Sequence, residues 1–203
     1  MCLLIVSPKG RDINMEHLRN ASYFNEDGFG IMSYNKRTQK VDIFQTLDFG
    51  VFERHIQEHR ETYRATVTCY HLRLSTAGTK SLDNCHPFPT HNGWLMHNGH
   101  IVEMDSQMPK SGGHLSDTAK LAFFLAQMKP AWGALGTKII LEGFLGTNRV
   151  VVLDKTGKVH IFNSALGSWI DGNWYSNCSY HEKPRAQTVG GWWGFELDEP
   201  SPL

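Results

Sequence analysis

The chain has 203 residues, and its 20 lysines and arginines balance its 20 aspartates and glutamates, so the formal net charge is zero. A chain of this length forms one domain and can bury about 70% of its unfolded surface. The balanced charge argues against a protein that binds nucleic acid through electrostatics, because such proteins are usually basic.

Hydropathy and cysteine usage predict a cytoplasmic protein that does not enter the membrane. The apolar run at 3–6 (LLIV) is too short for a signal peptide or a membrane span. The four cysteines, which are Cys2, Cys69, Cys85 and Cys178, form no CxxC pair and no tight disulfide framework. This pattern is typical of a reducing compartment.

The first third of the chain alternates between strand and helix patterns. Residues 2–7 form an apolar run typical of a buried strand, and 28–34 and 40–47 also predict strands. A short helix is expected over 14–20. A longer amphipathic helix is expected over 48–62, with the first residue, an aspartate, as its cap.

The middle of the chain predicts a strand that carries several polar side chains. Residues 65–74 are rich in Thr, Val and Tyr, as strands are. A period of two places four side chains on one face of this strand, namely Val67, Cys69, His71 and Arg73. Short strands are expected at 94–97 and 100–103, on either side of an Asn-Gly pair, and a loop at 105–114.

The last third predicts one helix and one hairpin. Ser116 or Asp117 caps an amphipathic helix that ends at Met128. Residues 148–164 predict a β-hairpin that turns at 155–157. Taken without any resemblance, the pattern indicates an α+β protein.

Cys2 follows Met1 directly, and a small residue at that position normally allows the methionine to be removed. Removal would give Cys2 a free α-amine beside its thiol. An α-amine titrates near about 7.7–8.0, so it can act as the base for that thiol at neutral pH. A cysteine at this position also occurs by chance, and retention of Met1 would replace the amine with an amide.

Four further residues suit a substrate that is an amino acid with a scissile side-chain amide. The fork of Arg73 can hold a carboxylate through two hydrogen bonds, and Asp117 can hold an α-ammonium group. The side-chain amide of Asn98 and the backbone N–H of Gly99 can both point at one developing oxyanion. Each has a structural alternative as well: an ordinary arginine, a helix cap and a tight hairpin turn.

The order of these residues resembles the class II glutamine amidotransferases, whose catalytic domains are N-terminal-nucleophile glutaminases. Five motifs match in order, from the N-terminal cysteine through 71–76 (HLRLST), 84–87 (NCHP) and 97–101 (HNGHI) to 116–118 (SDT). Residues 25–31 (NEDGFGI) and 174–177 (WYSN) resemble two further strands of that family. The resemblance covers roughly residues 2–180.

This resemblance implies a four-layer αββα sandwich of two antiparallel sheets. It implies that Cys2, Asn98 and Gly99 are catalytic, and that Thr76 and His86 line the glutamine pocket with Arg73 and Asp117. No cofactor is implied. One departure is Leu74, because many members of the family have an aromatic residue after the arginine.

Four histidines within fifteen residues, His86, His91, His97 and His100, also raise the possibility of a metal site. Their spacing does not match the usual zinc patterns, and neighbouring strands would point them in different directions. We therefore expect no metal here.

The function expected from the resemblance is hydrolysis of the side-chain amide of L-glutamine through a Cys2 thioester, with release of glutamate and of ammonia for a separate acceptor enzyme. Two alternatives remain open. One is a free-standing amidohydrolase acting on another γ-glutamyl compound. The other is a non-catalytic interaction protein on the same scaffold.

The expected domain organisation is one amidotransferase domain over 1–183 and a tail over 184–203. The chain leaves no room for a synthetase domain after residue 183. The tail is polar apart from a few residues that include Trp192 and Trp193. These two tryptophans either anchor a partner or cover an edge of the core.

Overall fold

The computed structural model describes residues 2–76, 78–104 and 114–181. Within them, ten strands form two antiparallel sheets. The larger sheet has the order β3-β2-β4-β1-β10-β9. Its strands, in chain order, are β1 (Leu3–Ser7), β2 (Phe29–Asn35), β3 (Lys40–Thr46), β4 (Thr68–Leu72), β9 (Ser168–Ile170) and β10 (Asn173–Tyr175).

The smaller sheet has the order β5-β6-β7-β8. Its strands are β5 (Phe88–Thr90), β6 (Gly93–Asn98), β7 (Arg149–Asp154) and β8 (Val159–Phe162). Five α-helices accompany the two sheets in the described residues: α1 (Met15–Ser22), α2 (Phe49–Glu58), α3 (Arg60–Arg64), α4 (Asp117–Met128) and α5 (Leu135–Leu145).

Strand alternation divides the core into three apolar layers. On β1, Leu3 and Ile5 pack against α1 and α2, while Leu4 and Val6 point to the other face. There they join the smaller sheet in a central cluster that includes Met96 of β6. A third cluster packs the outer face of the smaller sheet against α4 and α5. The architecture is therefore the expected αββα sandwich.

Most of the expected elements are confirmed, including the hairpin made by β7 and β8. The face predicted for the strand at 65–74 is also confirmed, because Cys69 joins the central cluster and His71 reaches across to β6. The helix expected over 48–62 is two helices, α2 and α3, which are separated at His59. Its expected cap is confirmed, since the Asp48 carboxylate accepts a hydrogen bond from Val51 N–H.

The strand expected at 100–103 is wrong. The backbone N–H of Ile101 donates to the carboxylate of Asp117, at 2.8 Å, instead of to a neighbouring strand. Residues Val102–Met104 then form a turn of 3₁₀-helix. The loop expected at 105–114 lies outside the described residues, apart from His114.

Helix α5 was not expected from the sequence. Its apolar residues do not form one stripe, and several of them, including Leu135, Ile139 and Ile140, are exposed. In the described parts of the chain, no helix has both the length and the apolar character needed to cross a membrane.

Candidate active site

Cys2 lies just before β1 and is 8% exposed. Its sulfur contacts the backbone of Leu74: the Leu74 N–H donates to Sγ at 3.3 Å, and the thiol donates to the Leu74 carbonyl at 3.4 Å. Burial raises the pKa of the Cys2 thiol, while the Leu74 hydrogen bond and the charge of Arg73 oppose that increase. A raised pKa means that the thiol needs a base before it can attack. Met1 lies outside the described residues.

One small pocket brings the candidate residues together. Its lining consists of Cys2, Arg73, Leu74, Thr76, His86, His97, Gly99, Ser116, Asp117 and Thr118. Six of the seven residues predicted from the sequence are in this set. The seventh, Asn98, is fully buried beside Gly99. The predicted site is therefore a single place in the fold, although its residues come from five separate stretches of the chain.

Arg73 is held in the pocket wall by the loop that follows β4. Its side chain is buried and donates to the Thr79 carbonyl at 3.2 Å and to the Ser75 hydroxyl at 3.1 Å. Asp27 braces the same loop, since its carboxylate accepts from Ser75 N–H at 2.8 Å and pairs with Lys80 at 2.9 Å. The guanidinium is thus placed before any substrate arrives.

The environment of Asp27 favours its charged form. Burial acts against ionisation of this carboxyl, but the Ser75 N–H and the Lys80 ammonium outweigh burial and hold its pKa below the ordinary value. The brace under the Arg73 loop is therefore a carboxylate at neutral pH.

Asp117 is the first residue of α4 and is 5% exposed. Its carboxylate accepts from Ile101 N–H and from Thr118 N–H, both at 2.8 Å. The cap of the helix is Ser116, whose hydroxyl accepts from Ala119 N–H. Asp117 is therefore not the cap, and its carboxylate faces the pocket from the positive end of the helix dipole.

A buried asparagine connects the Arg73 loop to this helix end. Asn84 donates through Nδ2 to the Thr79 carbonyl at 3.0 Å, the same carbonyl that Arg73 contacts. Its Oδ1 accepts from Ser116 N–H at 2.7 Å. One amide group therefore sets the spacing between Arg73 and Asp117. The sequence motif contained Asn84, but the pattern gave no indication of this role.

Asn98 and Gly99 do not form a hairpin turn. The antiparallel partner that follows β6 in the sheet is β7, and Asn98 pairs with Arg149, far along the chain. Gly99 has φ of +142°, and a Cβ atom at this position would overlap the side-chain amide of Asn148. Only glycine fits here, and its backbone lines the pocket.

Two buried histidines, His86 and His97, line the pocket, and a third, His71, contacts both of them. His71 donates through Nε2 to the His97 carbonyl at 2.9 Å, and its ring lies tilted by 33° against that of His86 with centroids 3.7 Å apart. Burial lowers the pKa of His71 to about 3 and moves that of His86 well below its ordinary value. Both rings are therefore neutral under physiological conditions.

The remaining predicted residue, Thr76, is exposed at the rim of the pocket. Of the four histidines considered for a metal site, His91 lies apart, against the ring of Trp132. Across residues 2–76, 78–104 and 114–181, no group of three or more His, Cys, Asp or Glu side chains is arranged to hold a metal ion.

Two site residues have no counterpart in the sequence prediction. Asn177 donates through Nδ2 to the Cys2 carbonyl at 2.7 Å and fixes the backbone that carries the thiol. Ser176 accepts a hydrogen bond from the Asn98 amide at 2.7 Å. Both follow β10 directly. The 174–177 motif is the available signal, but it indicates only a strand and not these two hydrogen bonds.

Comparison with known proteins gives one match of sequence. Over 97 residues the chain is 30% identical to the protein named probable glutamine amidotransferase DUG3 of Saccharomyces cerevisiae, a match that covers 46% of this chain and 27% of the yeast protein. The chain thus spans about a quarter of that relative's length. No family model matches the chain. The match confirms the resemblance to glutamine amidotransferases that the motifs indicate.

Two solved structures overlap most of the chain. One is a class II glutamine aminotransferase domain protein from Silicibacter pomeroyi, with 14% identity, a TM-score of 0.44, and coverage of 86% of this chain and 87% of that one. The other is the glutamine phosphoribosylpyrophosphate amidotransferase of Bacillus subtilis, with 16% identity, a TM-score of 0.49, and coverage of 86% of this chain and 41% of that one.

Proposed function

We propose that this chain is an amidohydrolase of the glutamine amidotransferase type, which cleaves the side-chain amide of L-glutamine or of another γ-glutamyl compound. One observation carries the proposal: a thiol, a guanidinium and a carboxylate line one pocket with Gly99. A γ-glutamyl group needs these partners, because it has a scissile amide at one end and an amino-acid zwitterion at the other.

The substrate's amino-acid end is bound by Arg73 and Asp117. The Arg73 guanidinium receives the α-carboxylate, since a planar fork matches a carboxylate better than an ammonium does. The Asp117 carboxylate receives the α-ammonium group. Because these two residues contact only the glutamyl part, they leave the choice of leaving amine open.

The nucleophile is the Cys2 thiol, and removal of Met1 supplies its base. The α-amine of an N-terminal cysteine takes the thiol proton, directly or through a water molecule. The sulfur then attacks the side-chain carbonyl carbon and forms a C–S bond. Asn98 and the Gly99 N–H stabilise the negative oxygen of the tetrahedral intermediate.

The intermediate collapses when the C–N bond breaks and the leaving amine takes a proton from the N-terminal ammonium. With glutamine as substrate this product is ammonia. Water then attacks the thioester carbon, the C–S bond breaks, and glutamate leaves as the thiol regains its proton. The reaction needs no redox partner, and the residues named here require no cofactor.

The finer assignments form part of the same proposal. Residues 1–183 make the catalytic domain and 184–203 a tail, which lies outside the described residues together with Trp192 and Trp193. The four cysteines, which form no disulfide in the structure, fit a reducing cytoplasm. Ammonia released at this site serves a separate acceptor enzyme.

The test is glutamate release by the purified chain, measured together with its intact mass. We expect the loss of one methionine and release from glutamine or from γ-glutamyl amides with other amines. Cys2→Ala should abolish release, whereas Cys178→Ala, at an exposed thiol, should not. A trimmed chain that cleaves none of these amides would contradict the proposal. A retained Met1 without activity would favour the non-catalytic alternative.

A further inference from the structure

The amide of Asn98 has an unusual hydrogen-bond pattern for a group that is fully buried. Its Nδ2 donates to the Ser176 hydroxyl at 2.7 Å. Its Oδ1 is buried and has no hydrogen-bond partner among the described residues. In this orientation the free corner of the amide is an acceptor, and an acceptor repels the developing negative oxygen that Asn98 is proposed to stabilise.

The Ser176 hydroxyl has the complementary problem. Ser176 is fully buried, and its Oγ already accepts a hydrogen bond from Leu4 N–H at 3.0 Å. With Asn98 also donating to it, the oxygen accepts twice. Within the described part of the chain, no acceptor is then available for the hydroxyl proton. Asn98 Oδ1 thus lacks a hydrogen-bond donor, while the Ser176 hydroxyl has a proton without an acceptor.

Exchanging the oxygen and nitrogen of the Asn98 amide gives the Ser176 hydroxyl an acceptor and gives Asn98 Oδ1 a donor. These atoms are nearly indistinguishable by shape, so the hydrogen-bond network decides their positions. After the exchange, Ser176 accepts from Leu4 N–H and donates its proton to Asn98 Oδ1. The NH₂ group then takes the buried corner that has no hydrogen-bond partner among the described residues, where it can donate to the oxyanion.

We propose that Ser176 is a positioning residue for the reaction: its hydroxyl donates to Asn98 Oδ1 and so orients the Asn98 NH₂ group as an oxyanion donor. This inference rests on the proposed function. The neighbouring Asn177 holds the Cys2 carbonyl at 2.7 Å. Two consecutive residues after β10 thereby fix the oxyanion donor and the nucleophile relative to each other.

The first test compares Ser176→Ala with Ser7→Ala. Both serines are buried next to apolar strands, but the Ser7 hydroxyl has no hydrogen-bond partner in the described residues. We expect Ser176→Ala to lower kcat by at least about tenfold with little change in KM, because the effect falls on the transition state. Ser7→Ala should keep the wild-type kcat, and Ser176→Thr, which retains the hydroxyl, should recover most of it.

A double-mutant cycle then asks whether Ser176 acts through Asn98. In the Asn98→Ala background, Ser176→Ala should cause no further loss of kcat. Equal losses in both backgrounds, or an unchanged kcat in Ser176→Ala, would overturn the inference and leave the proposed function standing. An inactive wild-type chain would instead overturn the proposed function, and the inference with it.

Direct observation of hydrogens keeps the inference testable even if Ser176→Ala does not fold. A neutron or atomic-resolution X-ray structure of the wild-type protein locates the amide protons. A hydrogen on Ser176 Oγ that points at Asn98 supports the proposed orientation. Nδ2 hydrogens that point at Ser176 would overturn it.

Discussion

The thiol of Cys2 lies against backbone atoms rather than against a catalytic side chain. Both hydrogen bonds of its sulfur involve Leu74, through the N–H and the carbonyl. Any residue other than proline at position 74 can supply these groups. The departure from the aromatic residue common in the family therefore leaves the contact with the nucleophile intact.

At the scale of single residues, Gly99 gives the sharpest prediction. Replacing it with alanine should destabilise the protein by about 1–3 kcal/mol, because φ is strained for an L residue and the added Cβ overlaps Asn148. Turnover should fall as well, since the Gly99 N–H loses its position. Urea unfolding and glutamate release measure the two effects.

Gly143→Ala is the matched control for this substitution. Gly143 lies within α5, and a Cβ there meets nothing within 4 Å. Alanine should raise the free energy of unfolding by about 0.5–1 kcal/mol because it favours a helix over the unfolded chain. A Gly99→Ala protein as stable as the Gly143→Ala protein would contradict the packing described at Asn148.

At the scale of elements, the site depends on how the β4 loop is spaced from α4. Arg73 and Asn84 contact the same Thr79 carbonyl, and Asn84 also accepts from the backbone of Ser116. These hydrogen bonds connect Arg73, which is proposed to bind the substrate carboxylate, to the segment that carries Asp117, which is proposed to bind its ammonium group. Asn84, which is not among the proposed substrate-binding residues, thus sets the distance between Arg73 and Asp117.

Asn84→Ala should therefore raise KM for the γ-glutamyl substrate more than it lowers kcat. The buried Ser116 N–H loses its acceptor, and the Thr79 carbonyl loses one donor, so we also expect a loss of about 1–3 kcal/mol in stability. Steady-state kinetics and urea unfolding test both effects. Asn35→Ala, at the last residue of β2 and outside the pocket lining, serves as the control. An unchanged KM in Asn84→Ala would show that other contacts hold Arg73 and Asp117 in place.

The sequence predicted elements well where periodicity and capping act locally. The strand pattern at 2–7 and the hairpin at 148–164 were recognisable for that reason. The predictions failed where contacts between residues distant in the sequence determine the local structure. The expected strand at 100–103 is replaced by a turn because Ile101 donates to Asp117 instead, and α5 lacks the single apolar stripe by which a surface helix is usually recognised.

The same reasoning explains which parts of the site were predictable. Five of the seven residues predicted for the site have a chemistry that is visible in their residue types, whereas Thr76 and His86 follow only from the resemblance. Asn84 and Ser176 act through hydrogen bonds to partners 32 and 78 positions away, and nothing in the local sequence encodes those partners. A motif can suggest which groups react, but the fold determines how they are oriented.

At the scale of the whole molecule, buried neutral histidines link stability to pH. His71 has a folded pKa of about 3, and that of His86 is also far below the ordinary 6.5. Between pH 3 and 6.5 the unfolded chain therefore binds more protons than the folded one. Stability is fully present above pH 6.5 and is lost as the pH falls.

Each such histidine should reduce the free energy of unfolding by at most about 1.4 kcal/mol per pH unit below 6.5. Urea unfolding at several values between pH 5 and 7 measures this slope. His71→Gln, which keeps a donor for the His97 carbonyl, should give a shallower slope than the wild type. An identical slope in the variant would mean that His71 titrates in the folded protein.

The central claim is that Cys2 forms a covalent γ-glutamyl intermediate in this pocket. The most direct measurement is to quench the trimmed protein with acid during turnover and determine the mass of its N-terminal peptide. Our account predicts a glutamyl group on Cys2, present with a γ-glutamyl amide and absent in Cys2→Ala. Turnover that proceeds in Cys2→Ala, or an adduct found only at another cysteine, would contradict it.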